Sequence, residues 1–187
     1  MSAQAPGPEP PLAGRTYAVL VAEGVEDLEY WVTVMRLREE GASVVSVRSD
    51  TEPHRGKNGL SVRADAAAGD VDPEAPDGLV VAGGWAPDRL RRDPAVVGLV
   101  RRVHERGRPL GIICHGGLVA ISAGIVAGRP ATGSLGIRDD LVNAGARWVD
   151  EPAFRDGNLV WGRVVADIPA FCRELVAALR EDARAGG

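Results

Sequence analysis

The chain has 187 residues, 45% of them apolar and 26% charged, with a net charge of −4. That length suits one packed core rather than two, and the composition is that of an ordinary globular protein. The acidic balance excludes the broad basic face of a nucleic-acid binder, and no run is long and apolar enough to span a bilayer.

Residues 1–14, rich in Pro, Ala and Gly, are expected to form a disordered arm, residues 15–182 one folded domain, and residues 183–187 a flexible tail. The first fifteen residues lack the apolar centre of a secretory leader, and Cys114 and Cys172 stand far apart with no Cys-x-x-Cys. Both features point to a cytoplasmic protein with reduced thiols. Lys57 is the single lysine among 22 basic side chains, which reads as the composition of a GC-rich genome and not as a functional signal.

Tyr17 to Ala22 is predicted as a buried strand, followed by a turn and a helix from Asp27 to about Glu40 stopped by Gly41. Leu28, Trp31, Val32, Met35 and Leu37 are predicted on one face of that helix. Val44 to Val47 is the next strand, and residues 49–60 form a loop or small hairpin. Leu79 to Ala82 is a third strand, ended by Gly83-Gly84, and a helix runs from Pro94 to Arg106. Leu110 to Ile113, entirely apolar, reads as a central strand, with a short helix after Cys114 that ends near Gly124. Ile137 to Asn143 reads as a short helix and Arg147 to Val149 as a strand. Phe154 to Trp161 reads as a hairpin turning at Asp156-Gly157, and Asp167 caps a closing helix. Strands alternating with helices give a three-layer α/β/α sandwich on a mostly parallel sheet.

Gly111-Ile112-Ile113-Cys114-His115-Gly116-Gly117 carries the strongest chemical signal. A buried strand that runs through a cysteine into a glycine-assisted helix presents the side chain at the carboxyl edge of the sheet, where ligands bind. The start of the following helix would favour thiolate over thiol. Gly116 satisfies the small-residue rule of a nucleophile elbow, whereas Ile112 does not; the alternative is a buried cysteine without chemistry. The backbone N–H groups of His115 and Gly84 are candidates for an oxyanion hole. Glu26, after the first strand, either holds the thiol's proton or serves as a first-turn acid. Asp88 either orients His115, as the third member of a triad does, or caps a helix. Trp85 and Trp161 either line a pocket or belong to the core. His54 and His104, placed in a polar loop and on a polar helix face, have no zinc spacing, and no metal site is expected.

Taken together, Gly24-Val25-Glu26-Asp27 with Glu29, Gly83 to Arg91, Ile113-Cys114-His115-Gly116, Ile121 to Gly124, Asp139 to Ala146 and Asp156 to Val160 resemble the ThiJ/PfpI family of the class I glutamine-amidotransferase-like superfamily. The resemblance covers about residues 16–182. It implies a flavodoxin-like sandwich, a nucleophilic Cys114, a supporting acid at Glu26, His115 as the family histidine, and no cofactor. It also implies a homodimer or larger homo-oligomer in which the acid at Asp88 acts from a neighbouring subunit. Gly83, Gly84, Trp85, Gly116 and Trp161 are the expected oxyanion and substrate contacts. The family's activities span glyoxalase or deglycase, peptidase, isonitrile hydration and redox-linked chaperone roles. Here they imply an enzyme acting on a small-molecule or peptide substrate, with deglycase-like chemistry leading and tailoring in a biosynthetic route also open. Departures from the family pattern occur at Ala82, Asp88, Gly117, Gly133 to Gly136 and Trp161 to Val164, and the last two segments are expected near the pocket.

Overall fold

The structure, a computed structural model, describes residues 9–49 and 54–185. Two parallel strands, β1 (Thr16–Leu20) and β2 (Ser43–Arg48), flank helix α1 (Asp27–Glu39) in sequence. The chain then makes a small antiparallel hairpin, β3 (His54–Arg55) and β4 (Ser61–Val62), and a short edge strand, β5 (Ala66–Ala67). Next come β6 (Gly78–Val81), α2 (Ala86–Leu90), α3 (Pro94–Glu105), β7 (Leu110–Ile113) and α4 (Gly117–Ala123). The last third holds β8 (Pro130–Ala131), α5 (Arg138–Asn143), β9 (Arg147–Trp148), β10 (Ala153–Asp156), β11 (Leu159–Gly162) and α6 (Ile168–Ala185).

Seven strands form the main sheet in the order β10-β11-β7-β6-β1-β2-β5, parallel except where β10 meets β11. Helices α1 and α6 pack together on one face, and α3 and α4 on the other. The sheet is therefore the middle layer of an α/β/α sandwich, as the alternating pattern predicts. Consecutive strands β1 and β2 run to one side, and β6 then returns to the other side of β1. That reversal opens a crevice at the carboxyl ends of β1, β6 and β7, the place where such sheets bind ligands.

Several local expectations are corrected. Leu28, Val32 and Met35 of α1 are 50%, 38% and 61% exposed, whereas Tyr30, Thr33, Val34 and Leu37 are buried together with Asp27 and Glu29. The helix thus turns its other face inward, because its two faces are both partly apolar. Leu12 is fully buried and its N–H donates to the Glu40 carbonyl, so part of the expected arm belongs to the core; residues 1–8 lie outside the described residues. Residues 183–185 continue α6, and residues 186–187 and 50–53 lie outside the described residues. The β10–β11 turn is centred on Gly157-Asn158, one residue later than predicted. Asp167 ends a 3₁₀ turn and its carboxylate accepts from Arg163. His54 is buried, not in an open polar loop.

Candidate active site

Two loops at the carboxyl edge, after β1 and after β6, are laced together by their backbones. The N–H of Glu26 donates to the Gly83 carbonyl at 3.1 Å, and that of Trp85 to the Gly24 carbonyl at 2.8 Å. Val25 and Gly84 form an antiparallel bridge. Two glycines permit this closeness. Gly84 has φ +75°, and a Cβ on it would lie 2.4 Å from the Gly24 carbonyl oxygen. A Cβ on Gly83 would lie 2.7 Å from both Cys114 Cβ and Glu29 Oε2.

Cys114 follows β7 with φ 59°, and among the described residues no other non-glycine residue has positive φ. That conformation is unfavourable for a side-chain-bearing residue and is held only because its surroundings over-determine it. A single 3₁₀ turn, Cys114–Gly116, then leads into α4. The sharp turn lifts the sulfur into a cavity of about 330 Å³ whose walls include Glu26, Lys57, Trp85, His115 and Ser134. His115 Nδ1 is 3.3 Å from Cys114 Sγ, so this neighbouring pair does meet. The backbone N–H groups of His115 and Gly84 both hydrogen-bond toward the sulfur.

The carboxyl beside the sulfur belongs to Glu29, not Glu26. Glu29 lies in the first turn of α1, fully buried, and Oε2 accepts the Gly83 N–H at 2.7 Å. Its Oε1 is buried with no other fixed hydrogen-bond partner, and the Cys114 thiol is the neighbouring acid. Burial raises Glu29 to about 7, opposed by the Gly83 N–H and the thiol. Burial pushes the Cys114 thiol up to about 12, with the charge and hydrogen bond of Glu29 acting the same way. The expected lowering of this thiol is therefore overturned: desolvation outweighs the helix start, α4 being only seven residues long. Above about pH 7 the pair therefore keeps one proton, which rests on Cys114 and can pass to Glu29. When that proton sits on the carboxyl, the sulfur is a thiolate facing three donors. Burial, then the charge of Lys57, lowers His115 and favours its neutral form.

The sequence pattern that defines the DJ-1/PfpI family matches residues 15–178. The chain belongs to the DJ-1/PfpI family. It is 42% identical over 161 residues to Deglycase PH1704 of Pyrococcus horikoshii, a match covering 86% of this chain and 97% of that one. It is 38% identical over 166 residues to the putative cysteine protease YraA of Bacillus subtilis, covering 87% and 97%. Among solved structures, a two-domain protein of Anabaena variabilis with DJ-1/ThiJ/PfpI-like and ferritin-like domains superimposes with a TM-score of 0.86 at 35% identity. That match covers 88% of this chain and 48% of that one.

Within this DJ-1/PfpI chain the expected residues divide. Cys114, His115, Gly84 and Trp85 converge on the cavity, with Trp85 64% exposed at its rim. Glu26 lines the cavity too, but its carboxylate is taken by Asn58 Nδ2 at 3.1 Å and Lys57 Nζ at 3.3 Å. Gly83 and Gly116 act from behind the wall; a Cβ on Gly116 would meet the Val81 carbonyl oxygen at 2.5 Å. Trp161 is not a pocket residue. It is fully buried because its ring packs beneath the start of α4, 3.6 Å from where a Cβ on Gly117 would lie. Asp88 is the third residue of α2, not its cap. Its carboxylate pairs with Arg92 across a second cavity of about 440 Å³ that His115 also lines. Ser134 and Val164 fall on the thiol cavity, within the two departing segments. Among the described residues no group of three His, Cys, Asp or Glu is placed to hold a metal, and no helix is long and apolar enough to cross a membrane. Sequence reasoning passed over the proton-sharing role of Glu29 and the whole Lys57–Asn58 turn. The signal for Glu29 was an acid spaced to lie with Tyr30, Thr33 and Leu37 on the packed side of α1.

Proposed function

We propose that this chain is a cysteine-dependent enzyme of the deglycase type, releasing thiols and amines from their adducts with small reactive aldehydes, with Cys114 as nucleophile. The observation that carries the reading is Cys114 itself, held at positive φ in a cavity with two backbone N–H donors and a buried carboxyl that shares its proton. Relatives named deglycase at about 40% identity, matched over nearly their whole length, support the same chemistry.

In this reading the shared proton moves to Glu29, and the thiolate forms a bond to the aldehyde-derived carbon while the bound thiol or amine departs. Until the bond forms, the negative charge on the sulfur is held by the N–H groups of Gly84 and His115. Collapse of the Cys114 adduct returns a free aldehyde. Where the adduct carbon neighbours a second carbonyl, passage of its hydride to that carbonyl gives a thioester, which water hydrolyses to a hydroxy acid. The product therefore tells a lyase from a hydrolase. The test is turnover of the methylglyoxal adduct of N-acetylcysteine. Cys114→Ser is expected to fall to the uncatalysed rate, and retention of activity would remove the nucleophile from the account.

Peptide hydrolysis is a second reading, favoured by the cavity that Asp88 and His115 share and by the protease name of YraA. It requires Asp88 to leave Arg92, or to serve a neighbouring copy, and we hold the homo-oligomer as part of that proposal.

A further inference from the structure

Of the 22 lysine and arginine side chains, all but Lys57 are arginine. As surface charges the two types are close substitutes, but an ammonium can surrender a proton and a guanidinium cannot. The exception lies in the thiol cavity, on a purpose-built turn. Asp27, 2% exposed, accepts the N–H groups of Asn58 at 2.6 Å and Leu60 at 2.9 Å, while the Lys57 N–H donates to the Val25 carbonyl at 2.8 Å. A Cβ at Gly56 would lie 2.2 Å from Asp27 Oδ1, so the turn is seated directly on that carboxylate. Lys57 Nζ uses one donor on Glu26 Oε2, and an ammonium has three. Its charge acts on both Glu29 and His115.

The remaining groups leave a gap in the chemistry. A departing thiol is stable as thiolate, but a departing amine must gain a proton. The proton shared by Cys114 and Glu29 is engaged in making the thiolate, and His115 is held toward its neutral form. We propose that Lys57 is the general acid that protonates the leaving nitrogen, and so extends the site from thiol adducts to amine adducts. This rests on the reading of Cys114 as nucleophile.

In the step, the thiolate lone pair forms the C–S bond at the carbinol carbon, and the C–N bond breaks with its pair on nitrogen. One proton passes from the Lys57 ammonium to that nitrogen. The products are a neutral amine, a neutral Lys57 and a neutral hemithioacetal on Cys114, and solvent then reprotonates Lys57. Glu26, anchored by Asn58, keeps the ammonium at the cavity wall.

The experiment compares kcat/KM for the methylglyoxal adducts of Nα-acetyllysine and N-acetylcysteine in the wild type, Lys57→Arg and Lys57→Met. General acid catalysis contributes about 10²–10⁴-fold, so the amine-to-thiol ratio is expected to fall about 100-fold in both variants. A ratio restored by Lys57→Arg, which keeps the charge without the transferable proton, would overturn the proposal, as would an unchanged ratio in Lys57→Met. A wild type that processes the thiol adduct but not the amine adduct would overturn it while leaving the Cys114 reading intact. A wild type inactive on both would sink the two together.

Discussion

Replacing Glu29 by Gln removes one buried charge while keeping an oxygen for the Gly83 N–H. In the folded protein the carboxyl is raised from 4.5 to about 7, which corresponds to about 3 kcal/mol in favour of its protonated form. An acid raised by folding contributes stability that is complete below its unfolded value of 4.5 and lost as pH rises through about 7. The wild type should therefore lose about 3 kcal/mol relative to Glu29→Gln between pH 4.5 and 7.5, and the difference should then level off. Other groups titrating in this window are common to both proteins. His115, in particular, is shifted by burial and Lys57 and not by Glu29. Urea unfolding of both proteins at half-unit pH steps measures the difference directly. Parallel stability curves across the window would show that Glu29 ionises as freely folded as unfolded, and the shared-proton account of the thiol would fall.

Gly83→Ala places a methyl group 2.7 Å from Cys114 Cβ and Glu29 Oε2, so it should cost about 1–3 kcal/mol in unfolding experiments. It should also abolish turnover, because the two groups it separates share the proton. Asp88→Ala should leave cleavage of aldehyde–thiol adducts within about twofold of wild type, as expected for an exposed, solvent-screened pair with Arg92. The same variant should depress peptide hydrolysis; a monomer by light scattering with Asp88-dependent peptidase activity would contradict the neighbouring-copy arrangement and leave Asp88 released from Arg92 in its own site.

What could be read from sequence follows how local each cause is. Leu110–Ile113 is apolar throughout and buried throughout, and the Cys-His-Gly-Gly that follows announces a tight exit from the sheet before any tertiary information is added. The orientation of α1 was only partly legible: of the predicted face Leu37 is buried and Trp31 packs partly against the core, but Leu28, Val32 and Met35 are exposed and Tyr30 and Val34 take the inner places. Glu26 stood out because it comes just after the first strand, whereas the inward turn of Glu29 depends on which side of the helix the sheet packs. Trp161 became core for a similar non-local reason, since only the tertiary fold shows that α4 covers its ring. The direction of the thiol's shift was read from the following helix start, a local feature. It is set instead by burial and by a carboxyl 85 positions earlier in the chain, which no spacing rule reveals. The Lys57 turn likewise acquires meaning only when Asp27 is seen to hold it.

The account depends above all on Cys114 being reachable and able to become a thiolate, by passing its proton to Glu29, while the protein is folded. Iodoacetamide labelling at pH 7.5, followed by peptide mass spectrometry and residual activity on the N-acetylcysteine adduct, tests this. Cys114 should be carboxamidomethylated in step with loss of activity, while Cys172, buried in α6, stays unmodified. An unreactive Cys114, or a fully alkylated protein that still turns over its substrate, would contradict the central claim.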